Sequence, residues 1–433
     1  MPHLLCACGH LFEAPPGPAF CPSCKQLHPL TAGKIKVECI CGAILKAPAS
    51  LAGKNAKCPT CGEEVRVPDR AEVMEAVIAA SAPPPPPPPY PPVRGVRRVL
   101  PLLFALTIIP LAMSVFAGPD DSDERMERTF KANPDVVARV ESEELQSLDD
   151  LLLALPDRRV EGAYLPRDTW THWFFAGVAA VGLWGAVLLL YPLGNATSAQ
   201  LWKIGIFTGT VGILLLLGLQ YVAEWTQGVI IKGHGILLIF FYIVKFIGYS
   251  YRAALDPSNG FWLSMLGFTF GVGLCEELLK ALPLIWHYRG KATLNLRGAV
   301  AWGLATGVGF GISEGITYSS DYYNGVTTGG IYVVRFVSCV ALHAVWSGAA
   351  AVLIYRRQQE FRDVDSWWGW AFPVLKVLAV VMVLHGLYDT LLKRDMEILA
   401  LLTAMASFAW FFWYAEHTAR LEELEPASAP LPA

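Results

Sequence analysis

The sequence predicts an all-α bundle of membrane-crossing helices, about eight in number, with two small zinc ribbons at its N-terminus. Three observations say so. Of the 433 residues, 54% are hydrophobic and only 16% charged, with a mean hydropathy of +0.41, a balance soluble domains rarely show. Apolar stretches of roughly the twenty residues that span hydrocarbon recur along the chain. Eight of the ten cysteines fall before residue 62, in two matching blocks. The 14 tryptophans suit anchoring at the membrane interface. A net charge of −3 offers no basic surface, so no nucleic-acid partner is expected.

The cysteine blocks align as CACGHLFEAP with CICGAILKAP, then CPSC with CPTC, an internal repeat. Cys6, Cys8, Cys21 and Cys24 form one set; Cys39, Cys41, Cys58 and Cys61 form the other. Paired cysteines at this spacing suit tetrahedral Zn2+ held by four thiolates, two from each knuckle. A disulfide framework fits less well, because a CxC pair does not readily bridge locally and no secretion signal is present. The start, MPHLLCACG, lacks a basic n-region followed by an apolar h-region, so no cleavable signal peptide is expected. Domains this small lack the core to fold alone, which makes the zinc structural. The ribbons are assigned to residues 1–33 and 34–68. An Ala/Pro-rich linker, 69–98, follows, and its run from Pro83 to Pro89 predicts an extended polyproline spacer. Cys275 and Cys339 lie in membrane segments, where they pack as small apolar residues.

Arg94, Arg97 and Arg98 precede a first membrane helix over 99–117. Basic residues favour the cytoplasmic side, which places the N-terminus and its thiolates in the reducing cytoplasm. The setting expected is a cell membrane, the bacterial inner membrane, crossed many times. Residues 118–170 are acidic and mostly polar and are expected to form an extracytoplasmic loop. Accessory membrane helices occupy 171–257, a catalytic membrane core 258–416 and a C-terminal tail 417–433. Arg289, Lys291 and Arg297, and later Arg356, Arg357 and Arg362, argue that their two loops are cytoplasmic. Nine strictly alternating spans would put both outside. One early segment therefore does not cross; residues 229–250, made polar by Lys232, His234 and Lys245, are expected to lie at the interface. Eight crossings remain.

Four successive membrane segments carry ionisable residues: GLCEELLKALP (Glu276, Glu277, Lys280), GFGISEGITY (Glu314), CVALHAVWSG (His343) and MVLHGLYDTL (His385, Asp389). Such groups are costly in a bilayer, face the bundle interior and mark functional sites. Counted from the basic loops at about 1.5 Å per residue, all lie roughly 18–25 Å deep. Their faces agree too. Glu276 and Lys280 are one turn apart, so the ammonium partly neutralises the carboxylates. Adjacent Glu276 and Glu277 point about 100° apart, which lets one do chemistry while the other orients groups. Asp389 lies one turn after His385 and can fix its tautomer. Gly303, Gly307 and Gly311 make a small-residue stripe leading to Glu314, which predicts a tight helix contact.

EExxK at Glu276–Lys280, FxxxE at Phe310–Glu314, the lone His343 and HxxxD at His385–Asp389 stand in a telling order. Over about residues 260–392 the chain resembles the PrsW-like intramembrane proteases, relatives of the CAAX-processing and bacteriocin-immunity membrane proteases. The ribbons and spacer are additions to that core. The resemblance implies peptide-bond hydrolysis in or beside the bilayer. PrsW-like members cut a membrane-anchored anti-sigma factor, so a membrane-anchored regulatory protein is the expected substrate. Glu276, Glu277, Lys280, Glu314, His343, His385 and Asp389 form the candidate catalytic set. Glu277 or Glu276 would serve as the base that activates water. His343 and His385 would hold a metal or donate to the oxyanion. His343, His385 and Glu314 can supply three ligands with one open position, as catalytic zinc requires. No HExxH occurs, and glutamate-driven hydrolysis without a catalytic metal is preferred, with the metal left open. The ribbons would engage a cytoplasmic protein partner, and membrane lipids surround the bundle.

Blander readings exist. The Glu276, Glu277 and Lys280 group can be a structural ion pair, His343 a satisfied core histidine, and Asp389 a partner of Lys393. GISEG matches GxSxG and offers Ser313 as a nucleophile, but that motif needs a strand-turn-helix elbow. A rhomboid-like Ser/His dyad leaves the glutamates unexplained, and no GxGD supports aspartyl catalysis. A proton- or ion-coupled transporter also gathers Glu, His and Asp at one depth. A non-catalytic scaffold or sensor is the third class.

Overall fold

A computed structural model describes residues 3–5, 11–13, 19–20, 27–28, 34–41, 43–48, 51, 53–67, 96–117, 121–142, 145, 147–289, 294–362 and 367–424. The chain divides into two units, Met1–Tyr90 and Pro91–Ala433.

The first unit is built from antiparallel hairpins. β1 (His3–Leu5) pairs with β2 (Leu11–Glu13), and β3 (Ala19–Phe20) with β4 (Leu27–His28). The pattern repeats as β5 (Lys34–Glu38) with β6 (Ile44–Pro48) and β7 (Asn55–Lys57) with β8 (Glu64–Arg66). The sequence repeat is thus a repeat of paired hairpins, each interrupted by one cysteine pair. Cys6, Cys8, Cys21 and Cys24 lie outside the described residues, as does the proline run. In the second ribbon, burial alternates along β6, with Ile44 and Lys46 outward and Ala47 inward. Ala47 and Val67 pack with Val37, Leu51 and Ala56. A core of that size does not stabilise a domain without help.

The second unit is helical. α1 (Val96–Ala117) leads into α2 (Ser122–Ala132), α3 (Pro134–Glu141) and α4 (Leu148–Ala154). Where polarity predicted an open loop, the chain folds into a small cap over Val136, Leu152, Leu155 and Val160. Main-chain bonds stitch it to a turn further along: Val160 N–H to Gly325 O (2.8 Å), Gly325 N–H to Leu165 O (2.8 Å), Tyr164 N–H to Thr327 O (2.9 Å). Arg125 donates to Val326 O at 3.0 Å. The same guanidinium holds the Asp121 carboxyl below the usual carboxylate range.

The membrane helices come next: α5 (His172–Leu190), α6 (Ser198–Thr226), α7 (Ile236–Leu255), α8 (261–289), α9 (Leu296–Tyr318), α10 (Gly329–Arg356), the short α11 (Gln358–Arg362), α12 (Trp367–Lys393) and α13 (Glu397–Leu424). Six helices among the described residues (α5, α6, α7, α10, α12 and α13) are long and apolar enough to cross a membrane, and α1 bent into α2 makes up to seven. α8 and α9, with the glutamates and glycines, are not among them. Residues 236–255, expected at the interface, form one apolar helix of spanning length. Lys232 and His234 fall in the non-helical stretch before it. Lys245 donates its ammonium to Val229 O at 2.6 Å. The polarity that pointed to the interface closes the α6–α7 connection instead.

α10 is the central helix: 89% of its membrane window is buried, against 22–44% for the other five. Glycines let α9 press against it. A Cβ on Gly303 would lie 2.5 Å from Ser347 O, one on Gly307 2.5 Å from Ala344 Cα, and one on Gly311 2.9 Å from Val340 Cα. The predicted stripe is therefore a backbone-to-backbone contact. A second glycine face was not foreseen, with Gly309 of α9 meeting Gly205 and Gly209 of α6.

Candidate active site

Among the described residues, four helices carry i→i+5 turns, each of which admits one extra residue and re-aims the side chains beyond it. They lie at Thr208–Gly212, Phe268–Gly273, Ser319–Tyr323 and Val334–Cys339, within or at the end of α6, α8, α9 and α10. The one in α8 ends three residues before Glu276. There α8 meets α12 closely: a Cβ on Gly273 would lie 2.6 Å from Met382 O, and one on Gly386 2.6 Å from Thr269 N. This contact sets His385, beside Gly386, against the glutamate pair.

All seven predicted residues converge. Glu277 is fully buried, and its Oε1 accepts from Lys280 Nζ at 2.7 Å and from His385 Nδ1 at 2.9 Å. Lys280 also reaches Glu276 Oε2 at 3.4 Å and His343 Nδ1 at 2.9 Å. Its ammonium sits 4.5 Å from the centre of the Phe310 ring, which gives the aromatic position of FxxxE a cation–π role. On the far side of His343, Nε2 lies 2.6 Å from Glu314 Oε2. His385 stacks on Trp346, ring centres 4.3 Å apart. Its Nε2 is 3.5 Å from Asp389 Oδ2 and 3.8 Å from Glu276 Oε2.

These contacts fix tautomers. An ammonium only donates, so His343 Nδ1 accepts and the ring proton sits on Nε2, facing the Glu314 carboxylate. Glu277 takes the Nδ1 proton of His385 and leaves Nε2 turned to Glu276 and Asp389. Glu277 is thus an anchor bound twice, whereas Glu276 touches its neighbours loosely.

Two alternatives are removed. Lys393 donates to the carbonyls of Ala254 and Asp256 and to Ser264 Oγ, not to Asp389. Ser313 donates its hydroxyl to the Gly209 carbonyl, tying α9 to α6. The proposed ligand trio also needs correction. The donor atoms that come within 4.8 Å of one another belong to Glu276, His343 and His385, not Glu314. Glu314 is engaged by a residue the motifs missed: Arg335, whose Nη2 lies 2.7 Å from Oε1. Near the start of its span, Arg335 reads as an interfacial anchor, and its spacing of eight from His343 puts the two on different faces of a regular helix.

One carboxylate and two imidazoles match a three-ligand catalytic metal site in donor type. The atoms are already engaged: the Lys280 ammonium contacts both His343 Nδ1 and Glu276 Oε2. Glu276, His343 and His385 could hold a metal ion, which would take the place of the Lys280 ammonium at them.

In the second ribbon the four cysteine sulfurs lie within 4.8 Å of one another, with Cys39–Cys61 at 3.5 Å and Cys41–Cys58 at 3.8 Å. A tetrahedral metal with bonds of about 2.3 Å has sulfur–sulfur edges of about 3.8 Å. All four are free thiols. The amides of Cys61 and Thr60 pull the Cys58 thiol down to about 6, favouring a thiolate. These residues can hold a metal ion.

Residues 223–415, from the end of α6 into α13, match the family described as PrsW family intramembrane metalloprotease. No curated protein and no solved structure matches the chain. The matched region encloses the whole ionisable cluster, and on this match the chain is an intramembrane protease similar to the PrsW family over residues 223–415.

Proposed function

We propose that the protein hydrolyses a peptide bond of a membrane-anchored, regulatory (anti-sigma-type) protein, with Glu276 activating the attacking water and no catalytic metal taking part. One observation carries the assignment. Of the two adjacent glutamates, Glu277 is fixed through Oε1 by both Lys280 and His385, its Oε2 buried without a partner, while Glu276 Oε2 stands 3.8 Å from His385 Nε2, beyond hydrogen-bond reach. A water bridging these two atoms would stand between the base and the imidazole.

In this reading Glu276 takes a proton from water as the oxygen bonds to the carbonyl carbon. The oxyanion is met by the Lys280 ammonium and by a proton on His385 Nε2, which Asp389 supports. Collapse breaks the C–N bond, and Glu276 returns its proton to the leaving amine. Glu277 keeps both cationic partners in place, and His343 holds Lys280 from the other side. Lys280 supplies the fixed positive charge that a metal would supply elsewhere. The ribbons take structural zinc and face the cytoplasm of a bacterial cell, where they position a protein partner or the substrate.

The test is cleavage of a panel of epitope-tagged single-pass membrane proteins co-expressed with the full chain. Glu276→Gln is expected to lower cleavage by about 10²–10⁴-fold; retained cleavage removes Glu276 as the base. Purified active protein should hold one metal ion per ribbon. A further ion lost together with activity overturns the metal-free mechanism.

A further inference from the structure

Arg335 stands on the i→i+5 turn of α10, eight residues before His343. Eight steps of a regular helix rotate about 800°, leaving two side chains about 80° apart; the extra residue of this turn removes one step and brings them within about 20°. Both therefore reach Glu314 from one face of α10: Arg335 Nη2 at 2.7 Å from Oε1, His343 Nε2 at 2.6 Å from Oε2. The Arg335 guanidinium also lies 4.2 Å from the centre of the Tyr318 ring. Tyr318 is one turn beyond Glu314 on α9, so the two residues grip the guanidinium between carboxylate and ring. Arg335 is 9% exposed. It and Lys280 stand as fixed cations among the carboxylates of Glu276, Glu277, Glu314 and Asp389.

We propose that Arg335 is a positioning residue of the protease: by holding Oε1 of Glu314 it turns Oε2 onto His343 Nε2 and thereby holds the imidazole in the orientation whose Nδ1 accepts from Lys280. The proposal rests on the cluster being the active site. A continuous chain transmits the effect. Arg335 sets Glu314, Glu314 sets His343, and His343 Nδ1 holds the Lys280 ammonium at 2.9 Å, which in turn binds Glu277 at 2.7 Å. Without Arg335, Glu314 is a buried carboxylate with one neutral neighbour, a state that favours its withdrawal or protonation. His343 then loses the carboxylate that holds its Nε2 side and so its ring orientation.

The test is a double-mutant cycle in the full-length protein, read as kcat and KM on whichever tagged single-pass reporter is cut. Arg335→Gln is expected to lower kcat about a hundredfold with KM unchanged, as misplacement of a catalytic group does. Arg335→Lys should recover part of that loss, because it restores the charge without the fork. On a Glu314→Gln background, Arg335→Gln should cost nothing more. An undiminished further loss on that background, or a loss confined to KM, overturns the proposal. If Arg335→Gln does not accumulate in membranes, the cycle is run with Arg335→Lys, whose loss must vanish on Glu314→Gln. A Glu314→Gln protein with full activity would instead remove Glu314 from the active site, and with it the reading beneath the proposal.

Discussion

Lys280→Met should be among the most destabilising single changes in the membrane unit. The Lys280 side chain has no exposure, and its ammonium contacts Glu277 at 2.7 Å, Glu276 at 3.4 Å and His343 at 2.9 Å. Methionine keeps most of the stem volume, so little of the loss comes from a cavity. Removing one partner of a buried ion pair costs about 3–5 kcal/mol, a large part of a typical stability of roughly 5–15 kcal/mol. At roughly 2 °C per kcal/mol for a chain of this length, Tm should fall on the order of 8 °C. Adding Glu277→Gln removes the carboxylate left uncompensated, and about 2 kcal/mol or more should return. The assay is thermal unfolding in detergent by tryptophan fluorescence at one fixed scan rate, since unfolding of such a protein is read as a rate. Two results refute the reasoning: Lys280→Met within about 1 kcal/mol of wild type, or a double variant no more stable than Lys280→Met. Either would mean that the ammonium does not neutralise this cluster.

Three further outcomes are expected. Gly307→Ala sets a methyl 2.5 Å from Ala344 Cα; α9 and α10 must part, at about 1–3 kcal/mol and with lost cleavage, whereas Gly185→Ala, with nothing within 4 Å of its Cβ, serves as the neutral control. Ser313→Ala should keep cleavage and lose about 1 kcal/mol of stability with one hydrogen bond; loss of cleavage to background would restore the serine as a nucleophile. The Cys58 thiol is depressed to about 6, so its thiolate persists above that value and protonates as pH falls through it. Metal release from the full-length protein, followed with a chromogenic chelator, should rise as pH drops because protons compete with the metal for the thiolates. Metal retained at a pH low enough to release it from other thiolate sites, or an unchanged metal content in Cys58→Ser, would contradict a thiolate ligand at Cys58.

The ionisable cluster was legible because the cost of charge in a bilayer makes each such residue conspicuous, and helical spacing put Glu276 with Lys280 and His385 with Asp389. The Gly303, Gly307 and Gly311 stripe was readable for the same reason, as a period of four. What escaped reading depends on departures from that period. Arg335 shares a face with His343 because of one i→i+5 turn, which no residue pattern announces. Glu314 offers itself in the sequence as a possible metal ligand because Arg335, which engages it, stands outside the motifs. The cap over residues 121–168 was missed because its helices are short and polar. Main-chain bonding to the turn at residues 324–328, from a distant part of the chain, holds it in place. The polarity of Lys232, His234 and Lys245 stands out in the sequence, but hydropathy alone does not say that an ammonium will close a helix end.

The separation between helices apolar enough to cross alone and those that are not bears on how the protein reaches the membrane. α8 and α9 stand consecutively in the second class and hold the glutamates and Lys280. At about 3 kcal/mol per charge at mid-bilayer on an insertion scale, the three charges of α8 oppose solitary entry by on the order of 9 kcal/mol. The same charges stop being costly once α12 brings His385 and α10 brings His343. Integration of this chain is thus a cooperative event. α8 has to be retained at the translocation machinery, or held at the bilayer surface, until helices synthesised well after it supply its partners.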